Sequence, residues 1–280
     1  MSGAPAKRQA VRGLIAAGLC EAAACRALAI SRSSYRYVSR RPDETELIEA
    51  IKAIRSRKRR WGYKRVHKRL CKDGYAVNRK RIERIWREQG FTQPLRRPKK
   101  KRRSGETVPV CARHEHHVWT YDFIFDATAG GRRLKVLTVL DEFTRVALAI
   151  VPGRSLTSAA VKGVLARLFA RHGQPRVIRS DNGPEFVAFE LTEWLADSGA
   201  RTYHIDPGKP WQNAFGESFH NRLRDECLSC EEFWSIEHAR VVLESWRCEY
   251  NTEHLHSSLG YATPAEFAAA HRTEQALVPA

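Results

Sequence analysis

No apolar run in the 280 residues approaches the ~20 that a membrane-spanning helix needs. The first residues also lack the succession of charged stretch, apolar core and cleavage site that marks a secretion signal. Cysteine is sparse: seven residues, an odd number, scattered along the chain. That argues against a disulfide framework and fits a reducing cytoplasm. Carboxylates are short as well, 31 Asp and Glu against 49 Lys and Arg, for a formal charge of +18. Such a surplus calls for a polyanionic partner, nucleic acid or an acidic membrane surface, and the want of an apolar run weighs against the membrane.

The shortage of acid is local. Residues 1–104 hold 31 Lys and Arg against 8 Asp and Glu, whereas residues 105–280 hold 18 against 23. One half is built to sit on phosphates, and the other carries a carboxylate excess better suited to a metal site. A uniformly basic protein does not predict that split.

Four regions follow from the patterning. Residues 1–40 form a small helical segment, with an Ala-rich stretch from Glu21 and a Ser-rich start to another helix before Tyr35. Residues 41–93 read as a helix-turn-helix. Leu47, Ile48, Ile51 and Ile54 recur at helical spacing, and Tyr63–Cys71 turns Val66 and Leu70 inward. Asn78 is placed to cap a third helix, Arg79 to Gln89, with Ile82, Ile85 and Trp86 on its apolar side and Arg79, Lys80, Arg81, Arg84 and Arg87 outward. A cationic helix after a short turn suits the major groove of DNA; the plainer alternative is a helical bundle with a solvated basic surface. Residues 94–112 begin with a run of like charge and no apolar period, and read as a basic linker.

From residue 113 to 272 the period changes. Val118–Phe125, Leu134–Leu140 and Val146–Val151 predict three strands, the first two joined as a hairpin through Gly130-Gly131. Helix 159–171, strand 176–179, helix 186–198 and strand 202–205 follow, then helices near 212–227 and 236–250. The expected fold is α/β, a mixed five-stranded sheet with flanking helices, preceded by the all-α region.

Three acids are conspicuous by position. Asp122 lies among apolar neighbours in the first strand, where an unpaired carboxylate is costly. Asp181 follows the fourth strand, before Asn-Gly-Pro, at the sheet edge where open α/β sheets place ligands. Glu217 is expected to share a helical face with Asn213, Asn221 and Arg224. If the first and fourth strands are neighbours, the three carboxylates converge, and hard oxygen donors suit Mg²⁺ or Mn²⁺. Asp126, Asp141 and Glu185 are weaker candidates: Asp141 is assigned to a turn and Glu185 to a helix start.

The sequence resembles insertion-sequence transposases of the second-frame (OrfB) type, with a retroviral-integrase-like, RNase H-like core. The resemblance rests on Trp119-Thr-Tyr-Asp122, Leu137–Arg145, Ser180-Asp-Asn-Gly-Pro-Glu-Phe186, Pro207–Phe219, Arg222–Cys227 and Tyr250-Asn through Phe267, with 35 residues between Asp181 and Glu217. It departs at Trp211 and at Gly216, where a bulkier residue is commoner and where glycine is expected to loosen the helix carrying Glu217. The resemblance implies an Asp122–Asp181–Glu217 site holding two Mg²⁺ or Mn²⁺ ions. Water attacks a phosphodiester at the element's end, and the freed 3′-OH attacks a second one without a covalent protein intermediate. It implies that Asn182 and Asn213 position substrate and that Lys209 and Arg224 contact DNA phosphates. Implied partners are duplex DNA, as element ends and target, further copies of the chain on DNA, and an upstream-frame subunit or fusion. Residues 1–20 show no sustained heptads, so the coiled-coil dimerisation segment is expected from that upstream frame, with weak end recognition by this chain alone. The expected location is the bacterial cytoplasm, on the nucleoid. The alternatives are an inactive end-binding or regulatory protein and an RNase H-like nuclease that cleaves without joining.

Two other groupings invite other chemistry. Cys227-x-x-Cys230 near His220, and Cys111 with His114, His116 and His117, lack a second ligand pair at zinc spacing. Trp61, Trp86, Trp194, Trp234 and Trp246 are assigned to the core rather than to base stacking.

Overall fold

Alanine loses no side-chain entropy on winding, which favours the first two of the three short helices that open the chain. These are α1 (Ala4–Ala16), α2 (Glu21–Ala27) and α3 (Arg32–Arg36). Val11, Ala24 and Cys25 are buried between them, with Leu14, Leu28, Ile30 and Tyr35 packed around. Ser31 caps α3 by accepting the N–H of Ser34. The computed structural model describes residues 3–38, 43–92, 110–181, 183, 189–206 and 210–277. The chain divides into two compact units, Met1–Glu49 and Ala50–Ala280. The expected basic linker and Glu185 fall outside the described residues, apart from residues 110–112 at the linker's end.

Next come α4 (Thr45–Arg57), α5 (Tyr63–Lys72) and α6 (Arg79–Glu88). Val66 and Leu70 of α5 and Ile82, Ile85 and Trp86 of α6 are buried, as their spacing predicts. Asn78 caps α6, its side chain accepting the Lys80 N–H at 2.8 Å. In the second unit α5 and the residues before it are tied to the C-terminal part of the chain. Lys58 pairs with Glu249, Arg65 Nε donates to the Leu255 carbonyl at 3.1 Å, Lys72 Nζ meets Glu266 at 2.5 Å, and Trp61 stands edge-on to His254.

The sheet is β1 (Val118–Ala127), β2 (Arg133–Asp141), β3 (Ala147–Gly153), β4 (Val177–Ser180) and β5 (Arg201–His204), in the order β3-β2-β1-β4-β5. The first three strands are antiparallel, whereas β4 and β5 run parallel to β1. Parallel neighbours need crossovers, supplied by α7 (Ser158–His172) and α8 (Phe189–Asp197). In the turn joining β1 to β2, Gly131 has φ 72°, a conformation glycine takes without penalty.

Alternation along β1 builds two cores. Trp119 and Tyr121 face Leu137 and Val139 and pack against Val161, Leu165, Leu191 and Leu195 of α7 and α8. On the other side Ile124, Leu134 and Val136 meet α9 (Ala214–Leu223) and α10 (Ile236–Glu253) through Phe219, Leu223, Leu243 and Trp246. Each such side chain, fully buried, contributes about 1.5–3 kcal/mol. A turn of π-helix, Arg224–Leu228, extends α9, and α11 (Pro264–Leu277) closes the described chain. Among the described residues no helix is long and apolar enough to cross a membrane.

Candidate active site

Asp122 owes its place to the even side of β1, the side that α9 covers. Its last paired neighbours across β1 and β4 are Thr120 and Arg179. Carrying that register two steps further sets Asp181 opposite Asp122, where the parallel strands end. Adjacent strands lie about 4.8 Å apart, so the two carboxylates share one edge of the sheet.

The Asp122 side chain is held on several sides. Its Oδ1 accepts the Phe123 N–H at 2.7 Å, and its Oδ2 accepts from Asn213 Nδ2 at 3.1 Å. Asn213 is buried, and its Oδ1 accepts from Thr120 at 2.9 Å, so its amide has one orientation. Thr138, paired with Asp122 across the hairpin, donates its hydroxyl to the Asp122 carbonyl at 3.1 Å and contacts His220 Nε2 at 2.7 Å. With the hydroxyl proton committed, Nε2 is the donor and Nδ1, 3.8 Å from Asp122 Oδ2, is unprotonated. Burial and the nearby Arg224 push His220 down to about 4, so at neutral pH it brings no positive charge.

Asp122 is pushed up to about 7, first by burial and then by Asp181, with Glu217 adding to the repulsion against the Phe123 and Asn213 hydrogen bonds. Both other sequence-predicted acids therefore act on Asp122. Their intimacy is unequal. Glu217 is exposed on α9 and lines a cavity of about 450 Å³ flanked by Arg60 and Arg222. Among the described residues no three His, Cys, Asp or Glu side chains form a ready-made metal-holding group.

Asp181 is positioned from beneath. Two residues earlier Arg179 is fully buried, and its Nη1 donates to both carboxylate oxygens of Glu142, at 2.6 and 2.7 Å. Its Nη2 donates to the Val110 carbonyl at 2.6 Å. Asp181 Oδ1 itself accepts the N–H of Gly183 at 3.0 Å. The Leu137–Arg145 stretch owes its form to this frame. Asp141 is buried and accepts the N–H groups of Phe143, Thr144 and His116, the turn role its position predicts. Arg145 lies over the Phe215 ring at 3.6 Å.

Several expected details change. Asn213 does not share the exposed face of Glu217, Asn221 and Arg224; it turns in on Asp122 and Thr120, at the end of a 3₁₀ turn from Pro210. Gly216 has a further part at the N-terminal end of α9. A Cβ there would overlap the Asn213 amide, within 2.9 Å of its Cγ and Nδ2, so glycine is what lets Asn213 fold back. On α6, Arg79, Lys80 and Arg87 are exposed, but Arg81 and Arg84 are half-buried; Arg84 pairs with Glu88 and Arg87 with Glu83. Asn182 and Lys209 lie outside the described residues. Trp234, assigned to the core, is 70 % exposed. His220 was missed; the signal was Thr138, which hairpin register places beside Asp122.

Residues 112–210 and 198–264 match families described as integrase core domain, and residues 42–100 match an HTH-like domain. The chain is 38% identical to an uncharacterized 31.7 kDa protein of insertion element IS407 from Burkholderia multivorans, over 91% of this chain and 92% of that one. The chain belongs to the insertion-sequence transposases with an integrase core. It is also 38% identical to an uncharacterized 39.2 kDa protein of IS476 from Xanthomonas euvesicatoria (96% of this chain, 79% of that one), and 26% identical to the IS2 transposase InsD of Escherichia coli (93% of each). A chain of the simian T-cell lymphotropic virus intasome shares the fold, with TM-score 0.51 at 15% identity over 82% of this transposase and 76% of that chain.

Proposed function

We propose that this transposase cuts the ends of its element and joins the freed 3′-OH to another phosphodiester, at Asp122, Asp181 and Glu217. What supports the reading is the β1–β4 register, which carried two steps on sets Asp122 level with Asp181, together with the repulsion that Asp181 and Glu217 exert on Asp122. The donor set fits a hard divalent cation: oxygen ligands only, and mutual repulsion that such a cation would relieve. Two Mg²⁺ or Mn²⁺ ions held by the three acids would supply activation of the attacking oxygen and stabilisation of the leaving one. Glu217, exposed on its helix, would move toward the aspartates as substrate and metal arrive.

The chain's own groups do the rest. Asn213 and Thr120 hold the Asp122 carboxylate in one rotamer, and the Arg179–Glu142 pair fixes the strand that ends in Asp181. Arg60 and Arg222 beside Glu217 offer counter-charge to a phosphate, and Arg224, Lys209 and Asn182 add contacts to the DNA near the cut. Helix α6, with Arg79, Lys80, Arg81, Arg84 and Arg87, reads the duplex end. On this reading the protein works in the bacterial cytoplasm as an oligomer on DNA, and an upstream-frame subunit or fusion supplies further end recognition.

An oligonucleotide strand-transfer assay with Mg²⁺ decides the matter. Joined product is expected, and Asp122→Asn, Asp181→Asn and Glu217→Gln each lower it by on the order of 10³, the several kcal/mol that metal-assisted charge stabilisation is worth. Cleavage without joining would make the chain a nuclease, and end binding with neither would make it a regulator.

A further inference from the structure

Trp234 is an indole spread on the surface, 70 % exposed, on the loop between the π-helical turn and α10. The backbone beneath it is held on both sides. Phe233 is buried and its carbonyl accepts the Ala129 N–H from the β1–β2 turn at 2.8 Å, while Ser235 caps α10 through the His238 N–H. Beside the indole lies a cavity of about 540 Å³ whose lining includes Arg132 and Arg133 of the hairpin and Arg154 after β3. Glu237 is the one carboxylate in that lining, so cations outnumber it three to one. An aromatic face beside converging guanidinium groups is the composition that holds unpaired nucleic acid: bases stack on the ring and phosphates meet the cations.

We infer that Trp234, with Arg132, Arg133 and Arg154, is a second DNA contact, at which an unpaired base stacks on the indole and its flanking phosphates meet the arginines. The base must be unpaired, because within a duplex both of its faces are covered by neighbours. The choice of DNA as the polymer rests on the strand-joining function proposed above. Five residue steps along β1 lead from Asp122 to Ala127 at the hairpin end, about 17 Å at strand rise. A DNA strand advancing about 3.4 Å per nucleotide covers that in roughly five nucleotides. The strand leaving the reacting phosphodiester thus spans the interval.

The test is fluorescence anisotropy of the full chain with a labelled single strand and a blunt duplex. Trp234→Ala weakens single-strand binding by about 5- to 100-fold, and Trp234→Phe, which keeps a ring, by less than about 3-fold. Binding of the blunt duplex is unchanged. The double variant Arg132→Ala/Arg154→Ala lowers the slope of log affinity against log salt by about 1.4. Single-strand affinity equal to wild type in Trp234→Ala, or an equal loss in Trp234→Phe, overturns the inference. So does a shift from oligomer to monomer in sedimentation with single-strand affinity unchanged, which would make the indole an interface between copies. Loss of joining in Asp122→Asn with the Trp234 effect intact leaves this contact standing. Failure of the wild type to join strands, with the same Trp234 effect, would remove the catalytic proposal alone.

Discussion

Two acidic clusters lie within a few residues of each other, and they are built on opposite plans. Glu142 is buried with its own counter-charge, because both its oxygens receive N–H groups from a buried Arg179. Asp122 receives hydrogen bonds from Phe123 and Asn213 and repulsion from Asp181 and Glu217, and the imidazole nearest its carboxylate, His220, is held neutral. A carboxylate that serves the fold carries its partner with it. A group of carboxylates left to repel one another describes a place for something that arrives from outside.

The largest effect expected from breaking this contrast is on the closed pair. Arg179→Met leaves Glu142 buried and unpaired and lowers stability by about 3–5 kcal/mol, measured by urea unfolding. The double variant Arg179→Met/Glu142→Met recovers most of that loss, since two apolar groups need no counter-charge. A double variant as unstable as the single one would mean that the pair serves the fold through more than charge balance.

On the open cluster the sign reverses. Asp122 has its pKa raised above the unfolded value, so the folded state holds that proton more tightly, and stability falls as pH rises from about 4 to about 7. Without divalent metal, above about pH 7, Asp122→Asn raises the melting temperature by about 2–6 °C. Added Mg²⁺ raises it in the wild type and not in the variant. A fall in the melting temperature of metal-free Asp122→Asn would contradict the claim that the site is strained by uncompensated charge.

Gly216 tests the hydrogen bond that holds the open cluster in place. Gly216→Ala puts a methyl group into the Asn213 amide and costs about 1–3 kcal/mol, with strand transfer lowered by about tenfold as Asn213 leaves Asp122. Unchanged activity would show that the Asn213–Asp122 bond does not matter to the reaction.

The smallest effect concerns a third group, which carries charge only in acid. His254 is buried and His256 half-buried, pushed down to about 4 and about 2 mainly by desolvation, with Arg222 and Arg65 facing both and Glu226 beside His254. Their folded-state pKa values lie below the unfolded value of about 6.5, so their contribution is complete above that pH and is lost as pH falls toward 4. Between about pH 7 and pH 5 the melting temperature should drop less in His254→Phe than in wild type.

The strands and their order of appearance were legible because they depend on local alternation, and the three acids could be proposed from position and one interval, 35 residues, between Asp181 and Glu217. The contrast between the clusters was not. Arg179 and Glu142 stand 37 positions apart, and nothing in either segment says that they meet. Asn213 lies at helical spacing from Glu217, and only the 3₁₀ turn before α9 takes it off that face. Trp234 was misplaced because an indole is most often buried; its neighbours Phe233 and Trp246 are, and hydropathy does not tell the three apart.

The contacts that bind α5 to the C-terminal segment, Arg65 to Leu255 and Lys72 to Glu266, have a consequence for how DNA is measured. On the function proposed above, α5 fastened there with α6 packed upon it would make the distance between α6 and the acid-bearing sheet edge a dimension of the folded chain, like the gap of a caliper. An end whose recognised bases lie a few pairs too near or too far cannot be brought to register by swinging a tether; the duplex itself has to bend or twist. On that reading the spacing between the recognised sequence and the scissile bond would be written into the protein, and the salt that loosens Lys72 from Glu266 should also blur it.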